Sequence, residues 1–268
     1  MPRYSLKLRG RYSESAALRA TRNLRHWTGE ASAGAFLMLQ PVMVRVGASI
    51  EQRSYKGALP RYRAELPLSY GTTSQVNAMV RYGGFDNPWA WFVVATLSSG
   101  LADGADFSSS LFGTGVFGAS YRFSDKLTLG VWIAASNNLG ESSLYIVPVP
   151  FVTYRLSERW SFSTRQANLV AAYQFLPYQE VFLGLGFNRT QYRLAESNRA
   201  HSAGVLTDTR VPIFTGFTLQ LARALQVEGQ FGWHAYTLID IDNNAGEALQ
   251  SIELPAGLFG ELAVTLRF

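Results

Sequence analysis

Residues 251–268 alternate throughout. Ile252, Leu254, Ala256, Leu258, Gly260, Leu262, Val264, Leu266 and Phe268 hold one phase. Ser251, Glu253, Pro255, Gly257, Phe259, Glu261, Ala263, Thr265 and Arg267 hold the other. A two-residue period puts these sets on opposite faces of a β-strand. The segment is about three times as long as the mean strand of a soluble protein. The same pattern returns elsewhere. Leu225, Val227, Gly229, Phe231 and Trp233 oppose Gln226, Glu228, Gln230, Gly232 and His234. Val42, Val44, Val46, Ala48 and Ile50 oppose Met43, Arg45, Gly47, Ser49 and Glu51, and Tyr4, Leu6 and Leu8 oppose Ser5, Lys7 and Arg9. Helical spacing would mix polar and apolar residues around the axis.

The pattern predicts strands near 3–13, 29–40, 42–55, 73–85, 89–101, 109–123, 127–139, 143–156, 159–166, 167–176, 180–194, 204–222, 225–241 and 250–268. Short connections such as Gln40-Pro41, Ser124-Asp125-Lys126 and Ser157-Glu158-Arg159 alternate with longer polar ones around 14–29, 56–72, 102–108, 196–204 and 242–250. That is the layout of a transmembrane barrel with tight periplasmic turns and longer outer loops. The segment Tyr121–Leu129 (YRFSDKLTL) and the segment Tyr154–Phe162 (YRLSERWSF) repeat one hairpin: strand end, tight turn, strand start. The expected fold is all-β: one antiparallel transmembrane β-barrel domain over 1–268, with fourteen strands, or twelve if residues 1–35 lie outside it. Pro148, Pro150 and Pro212 remove ladder donors within strands, so bulges are expected there. Strands this long are uncommon in soluble sandwiches.

Composition agrees with dispersed apolar residues. Hydrophobic residues make up 47% of the chain and charged residues 16%, yet mean hydropathy is near zero. No apolar run is long enough for a transmembrane helix. Cysteine is absent, which excludes disulfides and thiolate metal sites. The 24 basic residues outnumber the 19 acidic ones, but the arginines are scattered through strands, which fits nucleic-acid binding poorly. Met1-Pro2-Arg3-Tyr4 leads straight into alternation, without the basic start, apolar run and small-residue site of a secretory leader. A leader removed from an exported protein, with Met added, suits the rest of the chain.

The ending Leu262, Val264, Leu266, Phe268 resembles the terminal strand of bacterial outer-membrane β-barrel proteins. The resemblance implies recognition of this strand by the barrel-assembly machinery, a place in the bacterial outer membrane, and contact with lipid bilayer and lipopolysaccharide. Leu59-Pro60, Asn87-Pro88-Trp89 and the Pro148/Pro150 strand are also similar to a barrel family of unassigned function, which implies no site residues.

Function is therefore expected in the lumen. Its polar candidates are Arg45, Glu51, Arg81, Arg122, Arg155, Arg210, Gln220, Glu228, Gln230, His234, Glu261 and Arg267, with Gln75, Asn77, Arg165, Gln174 and Asp208 beside them. A barrel of twelve to fourteen strands is hard to fill with side chains. A passive channel or porin for small polar solutes is the leading reading, and the arginine excess favours anions. Arg81, Arg122, Arg155 and Arg267 are expected to form a basic collar at the periplasmic mouth, offset in part by Glu228 and Glu261. The alternative is a non-conducting barrel serving as a lipid hydrolase or a structural partner. Catalysis has little support: His26, His201 and His234 are tied by spacing to no serine and acid. No metal ligand set or cofactor is expected. The apolar residues of loop 56–72 suit a segment folded into the lumen as a constriction, one lying on the outer rim, or one packed against a partner.

Overall fold

The computed structural model describes residues 3–15, 24–56, 69–84, 87–139, 144–165, 167–198 and 201–268. Loop 56–72, for which an inward constriction is one of the readings, lies mostly outside them. In chain order the strand segments are β1 (Arg3–Ser15), β2 (Leu24–Leu39), β3 (Val42–Lys56), β4 (Tyr70–Gly83), β5 (Trp89–Ala102), β6 (Leu111–Arg122), β7 (Leu127–Asn137) and β8 (Leu144–Arg155). They continue with β9 (Trp160–Arg165), β10 (Asn168–Leu176), β11 (Gln179–Gly186), β12 (Asn188–Arg193), β13 (Val205–Ala222), β14 (Leu225–Asp242), β15 (Ala248–Leu254) and β16 (Gly257–Arg267).

Neighbours in sequence pair antiparallel from β1 to β11, and β16 pairs with both β14 and β1. The wall is thereby closed. Arg11 lies opposite Glu261, and Lys7 opposite Thr265, across the closing seam. At its end the backbone N–H of Phe268 donates to the Tyr4 carbonyl at 3.0 Å. Segments β11 and β12 both pair with β13, and β15 and β16 both pair with β14, so sixteen segments make a fourteen-stranded barrel. The twelve-stranded alternative fails because β1 and β2 are full members of the wall.

Two strands expected to be continuous are interrupted. The 180–194 strand breaks at Phe187, and the 250–268 strand breaks at Pro255-Ala256. Opposite, the β13–β14 register jumps from Val211↔Tyr236 to Pro212↔His234, leaving Ala235 extra. One extra residue exchanges the two faces of a strand. Beyond the jump Thr237, Ile239 and Ile241 point inward, and so do Ile252 and Leu254, which unbroken alternation would place outside. Pro212 sits at this bulge. Pro148 and Pro150, also expected to bulge, instead keep regular register with Ile133 and Val131.

The repeated turn has a local cause. Ser124 Oγ accepts from the backbone N–H groups of Lys126 (3.2 Å) and Leu127 (3.1 Å). Ser157 Oγ accepts from Arg159 (3.3 Å) and Trp160 (3.1 Å) in the same way. A serine at this position satisfies turn donors that no neighbouring strand can reach. Outside the wall at this short-turn end, Trp89 packs on Tyr121 at 4.8 Å between ring centroids, and Trp160 on Tyr173 at 5.0 Å. The outward face between the barrel ends is apolar, with Val93, Phe117, Val131, Ile133, Leu183 and Leu262 all exposed.

Candidate functional site

The interior has four parts. At the short-turn end, inward positions carry exposed arginines. Arg45 on β3 and Arg81 on β4 point inward, as do Arg122 and Arg155, the last residues of β6 and β8. Arg267 ends β16 and donates to Gln226 Oε1. Among the described residues, no carboxylate lies within ion-pair distance of Arg45, Arg81 or Arg155.

Along β14, β16, β1 and β2 the interior wall is a ladder of ion pairs. Lys7 Nζ lies 3.5 Å from Glu228, and Arg9 lies 3.2 Å from both Glu30 and Glu261. Arg11 also pairs with Glu261 and stacks over the Phe259 ring at 5.6 Å. Three cations face three carboxylates, so this wall is close to neutral. Glu228 and Glu261 therefore neutralise β1, not the arginines at the mouth, where they were expected.

Above the ladder the interior is packed. Asp208 Oδ2 accepts from Arg53 Nη1 at 3.0 Å, from Arg210 Nη2 at 2.6 Å and from the Tyr55 hydroxyl at 2.8 Å. Arg210 reaches His26 Nε2 at 2.6 Å, and Arg53 reaches Glu51 at 2.8 Å. Tyr55, Tyr192, Leu206, Ile239, Ile241, Ile252 and Leu254 close over this network as one buried cluster. The cluster exists because β12 leaves the wall after Phe187. It stays on β13, where Tyr192 faces Leu206, and at its far end it meets β5, with Arg193 opposite Leu101 in a parallel bridge. The tops of β5–β7 cover its other side. Arg193 Nε donates to the Ser109 carbonyl at 3.1 Å, and the Leu139 N–H donates to Gln191 at 3.3 Å. In that covering loop Asp106 accepts from the Ser108 hydroxyl and the Ser109 N–H, which lowers its carboxyl below the ordinary value.

The fourth part is an apolar wall on β5–β8. Phe92, Trp132 and Phe151 point inward, with Phe92 edge-on to Trp132 and Trp132 stacked on Phe151, each pair at 5.6 Å. Gly118 lies opposite Trp132, and any Cβ there would run into the Phe92 and Trp132 rings. Val149 and Val147 continue this surface along β8.

The sequence-derived candidates thus fall into different compartments. Arg45, Arg81, Arg122, Arg155 and Arg267 lie at the short-turn mouth, with Gln220 nearby on β13. Glu228, Gln230 and Glu261 belong to the ion ladder, where Gln230 donates to Glu228 at 3.0 Å. Glu51, Arg210 and His234 belong to the packed part, and His234 is buried against Phe259 at 4.7 Å. Leu262, Val264, Leu266 and Phe268 lie on or beside the closing strand, the first three opposite Gly10, Leu8 and Leu6. Lys7, Arg9, Arg11, Glu30 and Arg53 were missing from the candidates. Alternation over residues 4–12 already puts the first three on the polar phase; in β2 the small residues around Glu30 blur it.

No family model matches the chain, and no characterised protein matches it in sequence. Solved structures do match in fold. An outer membrane channel from Pseudomonas putida F1 superposes with TM-score 0.56 at 10% identity, covering 99% of this chain and 95% of that one. A deltaS2 mutant of the TodX monoaromatic hydrocarbon channel superposes with TM-score 0.52 at 7% identity, covering 100% and 90%. The chain has the fold of a bacterial outer-membrane β-barrel, closed with fourteen strands.

Proposed function

We propose that the protein is a passive channel of the bacterial outer membrane, admitting small solutes and preferring anions in its periplasmic half. One contrast carries the reading. The charges of the ladder and of the Asp208 network are matched by opposite charges, and buried Arg193 is held by the Ser109 and Ala203 carbonyls, whereas among the described residues Arg45, Arg81 and Arg155 at the short-turn mouth point inward, exposed and without a carboxylate partner. Buried charges are paired because isolated ones cost too much. Unmatched cations can persist where water solvates them, so the mouth is read as water-filled. Charge lining such an opening biases which ions enter.

The apolar outward face and the aromatic rings at the short turns support residence in a bilayer with lipopolysaccharide around the outer loops. The exposed alternation Leu262, Val264, Leu266, Phe268 supports delivery through the barrel-assembly machinery. Transport is favoured over catalysis because the interior histidines lie against rings and guanidinium groups: His234 on Phe259, His26 on Arg210.

Conductance in planar bilayers tests the proposal. Discrete openings with a reversal potential on the anion side are expected. A folded, inserted and electrically silent protein would overturn it in favour of a non-conducting barrel acting as a lipid hydrolase or structural partner.

A further inference from the structure

Among the described residues, the closed wall stands lower on one side of its long-loop half. Segment β8 runs from Leu144 to Arg155, but β9 pairs with it only at Thr153, Tyr154 and Arg155. The β9–β10 hairpin is short, turning over between Arg165 and Asn168. From Leu144 to Val152, about 30 Å of strand at roughly 3.3 Å per residue, β8 has among the described residues a strand neighbour only in β7. The next segment that reaches this height is β12, and it has turned inward to β5. Among the described residues, β8 and β12 thus face each other across the gap without pairing.

The margin on β8 is adapted to being open. The N–H of Val152 points toward the gap side and donates to Thr164 Oγ1 at 3.3 Å. Successive backbone N–H groups of a strand alternate sides, so the next two positions that aim at the gap are 150 and 148. Both are proline, and neither has an N–H to leave unsatisfied. In hydrocarbon an unpaired donor is the main penalty on an open strand edge. Pro148 and Pro150 remove that penalty in the middle of the edge and block pairing with another strand there, while Ile146 and Leu144, nearer the long-loop end, keep their donors.

What lies behind the gap is apolar. Val149 and Phe151 point inward beside Trp132, and Val147 points inward yet is 50% exposed. At the long-loop end Arg189 of β12 reaches over the Tyr145 ring of β8 at 5.9 Å and spans the opening.

We infer that this gap is a side portal, through which small uncharged aromatic solutes pass between the apolar interior wall along β5–β8 and the surrounding bilayer. The inference rests on the channel reading for the direction of traffic, but the portal is a separate physical object. The stacked Trp132–Phe151 pair offers ring faces to a flat apolar guest. The packed cluster around Tyr192 fills part of the interior, and a solute following the apolar wall beside it reaches the gap.

The test exploits the absence of cysteine from the chain. A bimane fluorophore is attached at Val149→Cys, at the outward control Val131→Cys and at the interior control Gln75→Cys. Each is reconstituted with lipids carrying nitroxides on their acyl chains. The portal predicts quenching at position 149 approaching that at 131 and well above that at 75. Quenching at 149 no stronger than at 75 overturns it. Val147→Cys serves instead if the first variant does not fold. Entry of N-phenylnaphthylamine into proteoliposomes is then measured for the unsubstituted protein and for Val149→Trp, which adds bulk to the apolar wall at the gap. Entry falling to the protein-free background supports the route, and entry unchanged by the tryptophan overturns it. Quenching at 149 in a protein without ionic conductance would sink the channel reading and leave the portal standing.

Discussion

Arg53 on β3 and Asp208 on β13 meet at 3.0 Å, joining distant strands of the wall through the barrel interior. Both side chains are buried, and Arg210 and Tyr55 complete the carboxylate's hydrogen bonding. Removing the carboxylate leaves two guanidinium groups in the interior with one anion, Glu51, between them. Asp208→Asn should therefore destabilise the barrel by about 3–5 kcal/mol. Thermal unfolding in detergent, followed by circular dichroism and by heat-dependent gel mobility, checks this. A loss no larger than that of an exposed loop substitution such as Glu247→Gln would mean that water reaches the cluster.

Facing is tested on the closing strand. Val264 lies opposite Leu8 and Val227 on the apolar outward phase, and Thr265 lies opposite Lys7 and Gln226 on the inward phase. Val264→Arg should cost roughly 1–4 kcal/mol depending on depth, and Thr265→Arg much less. Equal losses in a reversible folding titration into lipid vesicles would invert the inside–outside assignment.

The arginines at the mouth make an electrical prediction. Arg122 and Arg155 end alternate strands at one level of the opening. Replacing both by Gln should reduce the anion preference read from the reversal potential under a salt gradient, with the melting curve little changed. A shifted melting curve with an unaltered reversal potential assigns these arginines to bracing the wall.

Gly118 holds apart the rings of the apolar wall. Gly118→Val should force Phe92 and Trp132 from their packing, at a cost of about 1–3 kcal/mol for an overfilled contact. Gly115→Val, three residues away on the outward face where a Cβ meets nothing within 4 Å, is the matched control. Comparable stability of the two variants, measured by denaturant titration, would show that the rings do not pack as described.

Strand number and facing were legible because alternation is a property of the backbone within a few residues. Every correct face, from Arg45 inward to Val264 outward, follows from a two-residue period and an environment that is apolar on one side. The apolar wall escaped detection for the same reason. Where the inward residues Val147, Val149 and Phe151 are themselves apolar, residues 144–152 read as an unbroken run, and periodicity has nothing to contrast.

The divided interior had no local signature. A single extra residue, Ala235, exchanges the faces of β14 and sends Ile239 and Ile241 inward. Such a register jump is defined only by the partner strand. The departure of β12 likewise depends on contacts with β5 and on the packing of Tyr192 against Tyr55 and Leu206. The Arg53–Asp208 pair joins residues 155 positions apart. A chain's own pattern specifies which side of a strand seeks the apolar phase. Which charges neutralise one another, and where the wall stays open, depend on distances that arise only once the barrel has closed.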